Sequence, residues 1–206
     1  MTQPADELRR QFGEIDIYLF DQLLRGRITR GMRILDAGCG GGRNLVYLLR
    51  EGFEVWGLDE SAEAIEQMRI LAANLAPGPS RDRFSVGSVE KLPYADASMN
   101  VVISSAVLHF ARDERQWTAM VDEMWRVLSS GGVLFSRLAT TIGQEGMLES
   151  RGGRRYVQLD GTERFLVDEA MLMATTARLG ATLLDPLKTS VVQNLRSMAT
   201  WVIRKD

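Results

Sequence analysis

Asp36, Gly38, Gly40 and Gly42 alternate along the run Asp-Ala-Gly-Cys-Gly-Gly-Gly, with Ile34 and Leu35 before it and Leu45, Val46, Leu48 and Leu49 at helical spacing after it. An apolar run, a glycine turn and a helix start read as the first half of a strand–helix–strand unit. Such a turn lets a ligand lie directly against the backbone, and a helix N-terminus aimed at it favours an anion. A dinucleotide loop needs G-x-G-x-x-G, and counting from Gly38 and Gly40 puts Arg43 where the third glycine belongs, which disfavours a NAD-binding oxidoreductase. Further on, the apolar stretch 54–58 stops at Asp59, an acid placed to accept both hydroxyls of a ribose. His109, the only histidine, follows the apolar run 101–103. A neutral imidazole there could accept a proton from a nucleophile, anchor its loop or shape a substrate pocket. Cys39, the only cysteine, reads better as a small residue in a crowded turn than as a nucleophile. With one of each, no His or Cys metal cluster is expected.

Around these residues the chain alternates short apolar runs with amphipathic segments. The spacing predicts helices over 6–24, from Ser61 to before Pro77-Gly78-Pro79, over 113–128 and over 167–179. It predicts strands around 34–37, 54–58, 83–86, 101–103, 133–136, 181–184 and 194–203, the last an antiparallel partner of the one before. Continuous apolar character in 101–103 suits a strand covered on both faces. The fold class is therefore α/β: a doubly wound, mostly parallel seven-stranded sheet with helices on both faces. One domain is expected over 1–206, divided as an N-terminal cap helix (1–30), a core (31–138), an insertion or lid (139–166) and a C-terminal helix with two strands (167–206). In the 139–165 stretch the periodicity gives way to glycines and arginines, which suits either a substrate cover or a solvated hairpin. Arg151, Arg154, Arg155 and Arg164 lie there, and such arginines would suit an acidic small molecule; with Arg137 just before the stretch, Arg154 and Arg155 are the candidate substrate residues. With 25 basic and 27 acidic residues, the net charge of −2 supplies no broad basic surface, so nucleic acid is not an expected substrate. No stretch reaches the length of a membrane span, Met1 to Arg10 lacks a signal-peptide core, and a cytoplasmic location is expected.

The motif Asp-x-Gly-x-Gly-x-Gly resembles the first motif of class I S-adenosylmethionine (SAM)-dependent methyltransferases. Further motifs follow in order: Gly87-Ser88-Val89 before Leu92-Pro93-Tyr94, Leu108-His109-Phe110, and the passage 125–134 ending in Gly131-Gly132-Val133-Leu134. The likeness is to the small type-11-like bacterial group, and Gly42-Arg43-Asn44 with Tyr47-Leu48 is also similar to tellurite-resistance methyltransferases. The resemblance implies SAM as cofactor and S-adenosylhomocysteine as product. It places Asp36, Gly38, Cys39, Gly40, Arg43 and Asn44 at the cofactor, with Asp59, Glu60 and Ser61 around the ribose. Ser88 and Val89 fall at the adenine, and Ser104 and Ser105 at the methionine end. Ser88 stands where the family has an acid, so it either accepts from the adenine amino group without charge or serves only the turn. The resemblance also implies a cap by the N-terminal helix, with Phe12 and Tyr18 either touching ligand or packing on the sheet. The expected function is methyl transfer to a small acceptor; a non-catalytic SAM-binding module is the alternative.

Overall fold

The computed structural model describes residues 4–76, 81–193 and 195–206; the Pro77-Gly78-Pro79 break and Asn194 lie outside them. Five parallel strands form the centre of the sheet: β1 (Arg33–Ala37), β2 (Glu54–Asp59), β3 (Phe84–Val86), β4 (Met99–Ser105) and β5 (Leu128–Ala139). Their spatial order is β3-β2-β1-β4-β5, so the direction of winding reverses between β1 and β4. In open α/β sheets that reversal leaves a crevice beyond the strand carboxyl ends, where ligands bind. Here those ends are Ala37, Asp59 and Ser105.

The strands are apolar on both sides because both sides are covered. Leu35, Val102 and Leu134 join one buried cluster with Trp117, Met124 and Leu172, while Ile34, Val101, Ile103 and Phe135 join the other with Leu19, Leu48 and Met68. The first face carries α5 (Glu114–Val127) and α6 (Glu169–Arg178); the second carries α2 (Ile17–Leu24), α3 (Val46–Arg50) and α4 (Ala62–Leu75). Ser61, Asp113 and Asp168 cap α4, α5 and α6 through Ala64, Gln116 and Met171 amides, as N-cap side chains do. Trp117 lies between Phe165 and Trp201 with ring centroids 6.4 Å from each, a core role.

Four expectations need correction. The single helix expected over 6–24 is two, α1 (Pro4–Phe12) and α2, because Gly13 turns left-handed (φ 64°) and Asp16 starts a new cap on Tyr18 N. Phe12 accordingly packs on Tyr47, centroids 5.3 Å apart. The 129–132 turn expected between α5 and its strand is part of β5, with a register break between Met99 and Val101 that the left-handed Gly131 absorbs. The 139–165 stretch holds a separate antiparallel sheet of β6 (Glu149–Gly152), β7 (Arg155–Val157) and β8 (Glu163–Phe165). Finally, β9 (Ala181–Leu183) does pair antiparallel with the last strand, β11 (Arg196–Lys205), but so does an unanticipated β10 (Lys188–Val192), which makes eight strands. β11 itself lies antiparallel against β5.

Candidate active site

The glycine loop is held to the end of β2. Gly38 N and Cys39 N both donate to Leu58 O at 2.7 and 3.0 Å, and Gly40 N donates to Asp59 Oδ2 at 2.8 Å. Two glycines are sterically required. A Cβ on Gly38 would collide with Val107, and one on Gly42 would collide with Met68 Sδ and lie 2.9 Å from Leu71; both have φ of 88°. Gly42→Ala should therefore destabilise the protein by about 2–3 kcal/mol, combining left-handed strain with overpacking. A urea melt within 0.5 kcal/mol of wild type would show that the α4 contact is soft. The helix following the loop, α3, is only five residues long, so the backbone turn rather than a helix dipole defines the cradle.

Asp36 sits at the foot of this cradle in β1, paired on either side with Gly57 and Ile103. It is 1% exposed and neither carboxylate oxygen has a hydrogen-bond partner among the described residues. Burial pushes its pKa up to about 7, against the pull of the Arg43 cation and with a further push from Asp59. An acid so placed lacks a counter-group. Burial also pushes the Cys39 thiol far up, reinforced by Asp36 and Asp59, which leaves it unreactive at neutral pH. Asn44 is buried and its side-chain carbonyl accepts from Asp16 N at 3.0 Å, tying the entry of α2 to the loop. Arg43 donates to Ser105 Oγ at 2.9 Å.

Three clefts open along the strand ends. A cavity of about 250 Å³ is lined by Asp59, Glu60, Ser88, Val89, Gln116 and Met120, among others. A second, about 600 Å³, lies over Gly38 to Gly41, Arg43 and Asn44. The third, about 420 Å³, contains His109, Arg137, Gln158, Arg164 and Arg196. Ala106 lines all three, in the left-handed region at φ 64°. Asp59 Oδ1 accepts from Ser61 N at 2.9 Å, while Ser61 itself is spent on the α4 cap. Ser88 Oγ accepts from Glu90 N at 3.3 Å, the turn role, while it and Val89 both face the first cavity. Ser104 is fully buried beside the clefts, its hydroxyl without a partner among the described residues, and lines none of them.

The candidate substrate residues separate. Arg137 faces the third cleft, paired with Asp16 at 3.1 Å and stacked 4.5 Å over Tyr18. Tyr18 also makes a 2.8 Å hydrogen bond with Ser190 in β10, joining α2 to that edge strand. Arg154 and Arg155 do not face it. Arg154 is consumed by Glu114 and Asp168, and Arg155 by Glu163 and Ala111 O, contacts that pin the small sheet to the body. Its place is taken by Gln158, Thr162 and Arg164 from the β7–β8 hairpin and by Arg196; of these the sequence had drawn notice only to Arg164, as one of the arginines of the 139–165 stretch. Met120 and Gln116 were also missed, since a cleft-lining position on α5 has the same spacing as a core one.

The unpartnered Asp36, the glycine cradle and the Asp59-lined cavity fit a ligand carrying an ammonium group and a ribose. Comparison with known proteins agrees. Residues 34–132 match the family model described as a methyltransferase domain. A malonyl-[acyl-carrier protein] O-methyltransferase of Pectobacterium atrosepticum is 32% identical over 135 residues, 65% of this chain and 47% of that protein. The chain spans about half the length of the curated relatives it matches. Among solved structures, a SAM-dependent methyltransferase from Methanosarcina mazei shares the fold with a TM-score of 0.72 at 20% identity, covering 89% of this chain and 96% of that one. Magnesium protoporphyrin IX methyltransferase from Synechocystis, solved with S-adenosylhomocysteine bound, has a TM-score of 0.68 at 15% identity, covering 100% and 89%. The ordered motifs and the family match identify residues 34–132 as a methyltransferase domain, and the chain shares the fold of the SAM-dependent methyltransferase structures it resembles.

Proposed function

We propose that the protein transfers the methyl group of SAM to a small molecule held in the Arg137 chamber. The observation that carries this reading is Asp36: a buried carboxylate without a partner, at the foot of a cradle that opens past Ala106 into a separate chamber. When bound, the cofactor supplies an electrophilic methyl group on a sulfonium. The chain's residues do the rest. Asp36 would hold the amino-acid ammonium, Arg43 and Asn44 border the same end, and Asp59 would take the ribose hydroxyls, with Glu60 beside it. Val89 and Met120 would flank the base, with Ser88 and Gln116 at its polar edge. Positioning the acceptor in line behind the methyl carbon supplies most of the rate in such a site. The small β6–β8 sheet, pinned by Arg154 and Arg155, acts as the fixed cover of the chamber.

Calorimetric titration with SAM, S-adenosylhomocysteine and NAD tests the cofactor half. Micromolar binding of the first two and none of NAD is the expected result. Silence from all three would end the reading in favour of a ligand-free interaction module.

A further inference from the structure

We infer that His109 is a fixed hydrogen-bond donor to the methyl acceptor, its Nε2–H presented to the Arg137 chamber, and that it is not the base of the reaction; this rests on the SAM reading above. The residue stands on the 3₁₀ turn Leu108–Phe110, just past the end of β4, one of the two strands between which the winding reverses. Its ring is 7% exposed and lines the chamber together with Ala106, the residue common to all three clefts.

One edge of the ring is already spoken for. Nδ1 accepts from Ala139 N at 3.3 Å, a buried contact between residues 30 positions apart. A backbone N–H only donates, so Nδ1 carries the lone pair and the single proton of the neutral imidazole sits on Nε2. The opposite tautomer would set two N–H groups against each other. Nε2 forms no hydrogen bond with a described residue, and it is not among the buried polar atoms sealed off without a partner. The chamber is therefore where its proton finds an acceptor.

A base in this place would have to become an imidazolium. Arg43, Arg137, Arg164 and Arg196 line the same chamber, against only two acids, Asp16 and Asp160. Asp16 is paired with Arg137, and Asp160 accepts from the Thr162 hydroxyl and amide at 2.6 and 2.9 Å. Burial first, and the Arg164 charge second, lower the His109 pKa to about 4. Above that pH the ring is neutral and too weak a base to draw a proton from a hydroxyl or an ammonium. In the transfer, a lone pair of the nucleophile forms the new bond to the methyl carbon. The C–S bond breaks with its electron pair going to sulfur, and the Nε2 proton stays on the ring throughout. Any proton the nucleophile sheds passes to water. The feature recognised on the acceptor is thus a lone pair, on a hydroxyl, carbonyl or ring nitrogen, within reach of that N–H.

Because His109 is the only histidine, ring-nitrogen NMR of the chain labelled with nitrogen-15 histidine reads it without ambiguity, free and with S-adenosylhomocysteine. The expected spectrum is that of the neutral Nε2–H tautomer from about pH 5 to 9, with no midpoint near 6.5. The Nδ1–H tautomer, a mixture of the two, or a midpoint between about pH 6 and 8 would overturn the proposal. Turnover tests the contact itself, with saturating methyl-tritiated SAM and phenol, aniline, nicotinamide, benzenethiol and benzoate as acceptors. For whichever is methylated, His109→Phe should lower kcat/KM about 10–100-fold, as loss of a buried hydrogen bond does. His109→Gln keeps an N–H near the Nε2 position and should stay within about fivefold of wild type. Wild-type kcat should not fall through pH 6.5, and SAM affinity should be unchanged in both variants, which separates a lost contact from misfolding. Equal losses in the two variants, no loss in His109→Phe, or a kcat midpoint near 6.5 would each overturn it. If none of the five is methylated, the NMR spectrum decides alone. A protein that binds no SAM fails the cofactor reading, while the spectrum of the free chain still decides this one.

Discussion

Asp36→Asn is expected to weaken SAM binding at least about 100-fold while leaving the ligand-free protein more stable than wild type at pH 8. On the proposed SAM reading, the affinity loss follows from removing the buried charge that would hold the cofactor's ammonium, a contact of several kcal/mol when desolvated. The stability gain follows from the direction of the pKa shift. Burial raises the folded-state value from 3.8 to about 7, so the native protein holds this proton longer than the unfolded chain. Its favourable contribution is complete below about pH 4 and is lost as pH rises through 7, where ionised Asp36 costs the fold about 4 kcal/mol. Asparagine does not titrate, so the variant's advantage should grow between pH 4 and 8, less the cost of an unpaired amide. Urea melts across that range check this, and parallel curves for the two proteins would refute it. The same linkage makes SAM binding release a proton below pH 7, with wild-type affinity climbing up to about tenfold per pH unit toward neutrality. In Asp36→Asn that climb should disappear.

Asp59→Ala should weaken SAM binding by about 1.5–3 kcal/mol, roughly 10- to 150-fold, through loss of charge-assisted hydrogen bonds. The structure gives the residue a second task. Its two oxygens already accept from Gly40 N and Ser61 N at 2.8 and 2.9 Å, so the carboxylate both faces the first cavity and clips the glycine loop to β2. Asp59→Asn can keep only one of those amide bonds through its single carbonyl oxygen and should fall between alanine and wild type. An unchanged dissociation constant in a folded alanine variant would remove Asp59 from the site.

What was legible in the sequence is what local rules dictate. The β1 run, the alternating glycines, the acid closing β2 and the Ser61 cap each carry their reason within a few neighbouring residues, and all lie where expected. The lining of the third cleft was legible only in part. Arg137 was placed on its wall, but Arg154 and Arg155 were preferred over Arg164 and Arg196 because arginines in a glycine-rich stretch look alike. What distinguishes them is a set of distant carboxylates: Glu114 stands 40 residues from Arg154. Gln158 carries no signal at all, since its place on the cleft wall comes from the turn between β7 and β8. Likewise β10 escaped notice because it is an edge strand with both faces largely exposed, so it lacks the apolar alternation that reveals a strand.

The hydrogen bond from Tyr18 to Ser190 spans 172 positions of the chain. The walls of the 250 Å³ cavity, by contrast, come entirely from residues 38–120. Long-range closures cost more chain entropy and form late, whereas local ladders form early and open last. The two halves of the site therefore differ in when they exist. The 250 Å³ cavity is complete once the central strands have paired, whereas the third cleft also needs Asp16 from the start of α2 and Val192 from β10. Run in reverse, a partial opening that draws Asp16 or Val192 away widens the third cleft and leaves the 250 Å³ cavity intact.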